Sequence, residues 1–184
     1  MSARVAFQGE LGAYSEAAIA QYFANYEPIP CRTFREVFER VCEGGADYGC
    51  LPLENSTTGI ISESQELLRG FSQKIRVCAE VQLRVRHCLL GVPGSSLEQI
   101  RTVYSHPQAL AQCREFLQAL GVTVESFYDT AGAARFVAQQ RDPTRAAIAS
   151  HQAALRYRLV ILREGIESNP QNTTRFVIIG RDPS

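Results

Sequence analysis

Lysine is almost missing from this chain: of nineteen cationic residues eighteen are arginine, Lys74 stands alone, Met1 is the single methionine and tryptophan is absent. Schiff-base and P-loop chemistry would both rest on that one lysine, in Ser72-Gln73-Lys74-Ile75-Arg76, with no glycine-rich cradle before it, and neither is expected. Aspartate is scarce too, and Asp47, Asp129, Asp142 and Asp182 fall in no D-x-D or EF-hand spacing. His87, His106 and His151 lie nineteen and forty-five residues apart, which is no zinc spacing, so no metal is expected. The six cysteines form no C-x-x-C pair, and each reads as a small buried hydrophobe. Nineteen cations balance nineteen acids, so no positive field exists to gather nucleic-acid phosphates. No apolar run reaches membrane-spanning length, and the N-terminus enters a strand-like segment without a signal-peptide stretch. The expectation is a reduced, cytoplasmic protein with no membrane and no nucleic acid as partner.

What is present is an average globular composition, 45% hydrophobic and 21% charged over 184 residues, enough for one domain or two small lobes. Short β-like runs at 4–7, 48–51, 75–85, 102–104, 122–124, 146–148, 159–162 and 176–179 alternate with helical patterns. Phe34, Val37, Phe38 and Val41 mark one amphipathic face, and Leu110, Cys113, Phe116, Leu117 and Leu120 another. Such alternation predicts an α/β protein with parallel strands. The stretch 76–86 is long for one strand and carries Arg84 and Arg86, so it is read as running from one sheet into a second across a hinge. Loops are expected at 92–96, 140–144 and 167–172, the last with Ser-Asn-Pro-Gln-Asn turn chemistry.

Ligands of α/β sheets gather where strands hand over to helices and free backbone N–H groups point outward. Three such junctions carry small polar residues: Phe7 to Ser15, Leu51 to Gly59, and Tyr104 to Gln108, where Pro107 suits a first helical turn. Together they describe an anion-binding cleft that needs neither metal nor lysine. Helix capping is the plain alternative for each, since Ser, Thr and Asn are preferred N-caps. Gly9 and Gly12 do not satisfy G-x-G-x-x-G. A fourth polar cluster, Asn172 to Phe176, precedes the apolar Val177-Ile178-Ile179 and reads either as a strand start or as a site.

In order along the chain stand Arg4-Val-Ala-Phe-Gln-Gly-x-x-Gly-Ala-Tyr-Ser-Glu-Ala-Ala, Leu51-Pro-Leu-Glu-Asn-Ser-x-x-Gly, Glu80-Val-Gln-Leu to His87-Cys-Leu-Leu, Ser105-His-Pro-Gln-Ala-Leu-Ala-Gln-Cys, Asp129-Thr-Ala-Gly-Ala-Ala, Ala146-Ala-Ile-Ala-Ser and Asn172-x-Thr-Arg-Phe. With these blocks the sequence resembles the catalytic domain of prephenate dehydratases and is similarly close to the plant-type arogenate dehydratases. The resemblance implies a two-lobed fold like the type II periplasmic binding proteins, with the active site in the inter-lobe cleft. Residues 1–78 plus 160–184 would form the first lobe and 79–159 the second. It also implies conversion of prephenate to phenylpyruvate in phenylalanine biosynthesis, without a cofactor, by a homodimer or tetramer.

Carried over residue by residue, the resemblance places Thr174 at the leaving hydroxyl as a hydrogen-bond donor or proton relay, with Glu54 as its nearest partner by motif. Ser15, Asn55, Ser56, Ser105 and Gln108 would hold the substrate carboxylates, Arg175 would neutralise one of them or act as a strut, and Phe176 would pack beside the ring. The chain departs from the family at Tyr157-Arg158-Leu159, where Tyr-Gly-Leu is common, and at Ile166-Glu167-Ser168, where Ile-Gln-Asp is common. The family usually continues into a phenylalanine-binding ACT domain; this chain ends at Ser184, and a catalytic portion without that domain is expected. Arogenate as substrate and a non-catalytic carboxylate sensor are the competing functions.

Overall fold

Val5, Ala6 and Phe7 are all fully buried, so the first strand is covered on both faces, as a central strand between helical layers must be. A computed structural model describes residues 1–183. Its elements run β1 (Ala3–Gln8), α1 (Tyr14–Tyr22), β2 (Tyr26–Cys31), α2 (Phe34–Cys42), β3 (Tyr48–Asn55), β4 (Gly59–Ile60), α3 (Ser62–Gly70), β5 (Ile75–Arg84), β6 (Cys88–Gly91), β7 (Thr102–Ser105), α4 (Pro107–Gln112), α5 (Arg114–Leu120), β8 (Thr123–Ser126), α6 (Thr130–Gln140), β9 (Arg145–Ala149), α7 (His151–Tyr157), β10 (Val160–Arg163) and β11 (Thr173–Arg181). They form two units: Met1–Gly9, Tyr14–Arg84 and the chain from Gln171 onward make one, Glu10–Ala13 with Val85–Pro170 the other.

The first unit holds a sheet in the order β2-β1-β3-β11-β5, with β4 paired to β3. Strand β1 runs parallel to β2 and β3, whereas β11 is antiparallel to both β3 and β5. The sheet is therefore mixed rather than parallel as expected, because β11 enters from the far end of the sequence with no crossover helix to set its direction. The connections β1-α1-β2 and β2-α2-β3 step in opposite directions across the sheet. Right-handed crossovers then place α1 and α2 on opposite faces. Thr33 caps α2 by accepting from the Glu36 N–H at 3.1 Å, and Val37, Phe38 and Val41 bury the apolar face read from the sequence. They pack with Leu51, Leu53, Val177 and Ile179.

The second unit has the order β10-β6-β9-β7-β8, with β7 parallel to β8 and β9, and β6 antiparallel to β9 and β10. Asp129 caps α6 and Ser150 caps α7. The loop around Gly12 is structural: Ser150 Oγ donates to the Gly12 carbonyl at 2.8 Å, and a Cβ on Gly12 would meet Ala153 Cα at 2.9 Å. Its φ of +93° likewise suits only glycine.

Two boundary expectations need correction. The division expected at 78/79 falls at 84/85, because β5 stays paired with β11 through Arg84 and does not pass into a second sheet. That expected at 159/160 falls at 170/171, because β10 pairs with β6 inside the second unit. The single helical face predicted over Leu110 to Leu120 is broken at Cys113 into α4 and α5.

Arg158 closes α7 with φ +54°, a left-handed position that disfavours any residue with a Cβ. The glycine that the resemblance would put at this point carries no such strain. Arg158→Gly is expected to stabilise the protein by about 0.5–1 kcal/mol, the strain relieved less the extra chain entropy of glycine, read as a higher midpoint in urea.

The cysteines follow their environments. Burial pushes the thiols of Cys31 and Cys88 up to about 11 and that of Cys113 up to about 12, and it raises Cys50 further. Cys78 is the exposed one. Thiol titration with a disulfide reagent on the folded protein should show one fast-reacting cysteine, which Cys78→Ser removes.

Candidate active site

The site is set by one irregularity in the sheet. Along β11 and β3, Phe176 stands opposite Pro52, Val177 opposite Leu51 and Ile178 opposite Cys50. Continued without interruption, that register would put Thr174 opposite Glu54. Instead β3 carries an extra residue between Pro52 and Glu54, and beyond it Arg175 faces Glu54 while Thr174 faces Asn55. Residues directly opposite one another share a face of the sheet, so Thr174 meets Asn55, and Glu54 lies on the other face with Arg175.

Asn55 is 9% exposed, Thr174 8% and Asn172 2%. The Asn55 Oδ1 accepts the backbone N–H groups of Thr57 at 2.9 Å and Thr58 at 3.0 Å, and the Thr58 hydroxyl at 3.3 Å. Backbone amides only donate, so they fix which end of the Asn55 carboxamide is oxygen. Nδ2 then donates to Thr174 Oγ1 at 2.8 Å and to Asn172 Oδ1 at 2.9 Å. Thr57 Oγ1 donates to the same Asn172 oxygen at 3.2 Å. Since Thr174 accepts from Asn55, its own O–H is left to donate, and no described residue accepts it.

The partner read from the motif is thus corrected: Asn55, not Glu54, meets Thr174. The Arg175 guanidinium joins Glu54 on β3 at 3.3 Å and Glu80 on β5 at 3.1 Å, bracing three strands on the opposite face. All three side chains are a quarter exposed or more, so each pair contributes about 0–1 kcal/mol. Ser56 laces the strand ends together. Its hydroxyl accepts the Thr173 N–H at 2.9 Å, and its N–H donates to the Thr173 carbonyl at 2.9 Å. Phe176 is 2% exposed and belongs to the core of the unit. Ser15 is half-buried in the first turn of α1, and its carbonyl accepts from Cys50 Sγ at 3.9 Å.

Ser105 and Gln108 belong to the second unit. Ser105 Oγ is fully buried and donates to the Ile148 carbonyl at 2.6 Å, joining the ends of β7 and β9. Gln108 is exposed at the start of α4, where its N–H donates to the capping His106 Nδ1 at 3.1 Å. Burial lowers the pKa of His87, whose Nε2 sits 2.6 Å from Gln112 Oε1. Among the described residues no cluster of metal-ligating side chains is present, and no helix is long and apolar enough to cross a membrane. The sequence reading missed the parts played by Asn172, Thr57 and Thr58; the density of polar residues before β11 was the only signal for the first.

Comparison with known proteins adds a family. The family model described as prephenate dehydratase matches residues 5–184. Arogenate dehydratase 1 of Petunia hybrida is 46% identical over 98% of this chain and 42% of its own length. Arogenate dehydratase/prephenate dehydratase 6 of Arabidopsis thaliana, a chloroplastic protein, is 46% identical over 98% of this chain and 44% of its own length. This chain therefore spans less than half of these curated relatives. Among solved structures, GqqA, described as a novel type of quorum-quenching acylase, is 39% identical with a TM-score of 0.90, over 98% of this chain and 65% of that one. Prephenate dehydratase from Arthrobacter aurescens in complex with L-Phe is 29% identical with a TM-score of 0.86, over 98% and 61%.

Proposed function

The chain belongs to the prephenate dehydratase family, and from that premise we propose that it catalyses the decarboxylating dehydration of prephenate to phenylpyruvate. Prephenate is a dianion whose ring becomes aromatic as the ring carboxylate departs as carbon dioxide and the C4 hydroxyl leaves. The electron pair of the breaking C–C bond enters the ring as the C–O bond breaks, so the carbon skeleton carries the electron flow. No electron sink is needed. Hydroxide is a poor leaving group, and one proton must reach it to form water.

Thr174 is assigned that task. What supports the assignment is the direction of one hydrogen bond: Asn55 donates to Thr174 Oγ1 at 2.8 Å, so the threonine proton is free to meet the departing oxygen. Threonine is a weak acid and holds its proton firmly at neutral pH. It acts as a hydrogen-bond donor that strengthens as negative charge grows on the leaving oxygen, with net proton delivery relayed from solvent. Ser15 and Gln108 remain assigned to the substrate carboxylates on the family resemblance alone. Ser56, Arg175 and Phe176 are assigned to holding the fold around the site, and Ser105 to holding the sheet of its own unit.

Arogenate is the second reading, favoured by the names of the plant relatives. It differs from prephenate only in carrying an amino group in place of the side-chain keto oxygen, away from the leaving hydroxyl. An assembly of two or four chains, resting on the family resemblance, and a cytoplasmic location, resting on the unpaired cysteines, complete the proposal. The test is to supply the purified chain with prephenate and with arogenate, following phenylpyruvate and phenylalanine. Turnover of either supports the dehydratase; saturable binding with no turnover of either would leave the sensor.

A further inference from the structure

We propose that Asn172 is a positioning residue, fixing the direction of the Thr174 proton through Asn55 without meeting the reacting atoms; its catalytic consequence rests on the dehydratase reading above. Asn55 has two N–H groups on one nitrogen, and both lie among buried side chains. One reaches Thr174 Oγ1 at 2.8 Å, and the other must find an acceptor or stay buried and unpaired. Asn172 Oδ1 supplies it at 2.9 Å. That oxygen also receives the Thr57 hydroxyl at 3.2 Å. Two donors converging on it hold the Asn172 carboxamide oxygen-inward, just as the amides of Thr57 and Thr58 hold Asn55 oxygen-outward.

Every member of this chain of bonds has one allowed polarity. It begins at backbone amides, which cannot reverse, passes through Asn55, and ends at Thr174 accepting. Without the Asn172 oxygen, the Asn55 nitrogen is held at one point rather than two. Its carboxamide, still anchored at Oδ1 by the amides of Thr57 and Thr58, then rocks more widely about the Cβ–Cγ bond, and the donor to the Thr174 hydroxyl is less sharply placed. Misplacement of this kind is felt in kcat, because the ground-state substrate does not need the proton correctly aimed.

The experiment uses three variants of the chain. Asn172→Ala should lower kcat by about tenfold to a hundredfold while KM moves less than about threefold. Asn172→Asp keeps an oxygen acceptor for both donors and should return kcat to within about threefold of the parent, any penalty falling on KM. In an Asn55→Ala background, Asn172→Ala should add less than about twofold, since Asn172 acts only through Asn55. A second readout needs no turnover: the Asn55 side-chain amide protons, followed by NMR, should exchange slowly in the parent and at least about tenfold faster in Asn172→Ala. Should Asn172→Ala fail to fold, Asn172→Asp with the amide readout decides, slow exchange supporting the role. Parental kcat in Asn172→Ala, or unchanged Asn55 exchange, would overturn it. Absence of turnover by the parent on both substrates would refute the dehydratase and leave the exchange result to decide the positioning.

Discussion

Thr174→Ala is expected to lower kcat on prephenate by about a hundredfold or more, roughly 3 kcal/mol of barrier, and Thr174→Ser to keep much of the rate. The size follows from the leaving group. Departure of hydroxide without a donor places a full negative charge on oxygen, and the hydroxyl proton assigned to it is lost with the side chain. Serine restores the oxygen and its proton but not the methyl that limits rotation about Cα–Cβ, so some aim is lost. The alanine variant also leaves the Asn55 N–H unpaired, at about 1–3 kcal/mol of stability. Saturation kinetics at a temperature where a melting curve shows the variant fully folded separates the two effects.

Asn55→Asp should cost as much in kcat as deleting the Thr174 hydroxyl, with that hydroxyl still in place. Aspartate has nearly the shape of asparagine, and one of its oxygens continues to take the N–H groups of Thr57 and Thr58, now at 2.9 and 3.0 Å. The other oxygen stands where Nδ2 stood, 2.8 Å from Thr174 Oγ1, and it can only accept. The threonine proton turns inward to it and is withdrawn from the substrate. Asn172 can flip its carboxamide to present N–H instead of oxygen, so the pocket survives folded. At saturating prephenate and neutral pH, kcat is expected about a hundredfold below the parent, with KM raised by the added negative charge near a dianion. A variant that raises KM alone would assign Asn55 to binding and remove it from the control of Thr174.

Much of the fold was legible before any coordinates. The alternation of apolar runs located most strands, and Val37, Phe38 and Val41 fell on a buried helical face as their spacing requires. Strand β2 was not visible because Pro28 and Pro30 argue against a strand. They are tolerated because β2 is an edge, and their spacing of two turns both missing N–H groups to the same, unpaired side. The four buried residues of β6, Cys88-Leu89-Leu90-Gly91, form an apolar run with no period to read.

The site was legible in its residue types but not in its pairing. Thr174, Asn55 and Glu54 were all candidates, and the uninterrupted register would have joined Thr174 to Glu54. A single extra residue in β3 exchanges that partner for Asn55. Which residue a strand inserts at a bulge depends on the packing of both faces, here with Leu53 in the core beside Glu54 on the surface, and no local sequence pattern carries that information.

The most direct measurement is kcat of Thr174→Val at saturating prephenate, compared with the parent. Valine keeps the branched shape and the burial of this position and removes only the hydroxyl. The expected rate is about one hundredth of the parental value or lower. A folded Thr174→Val enzyme releasing phenylpyruvate at the parental rate would contradict the assignment of that hydroxyl to the departing oxygen.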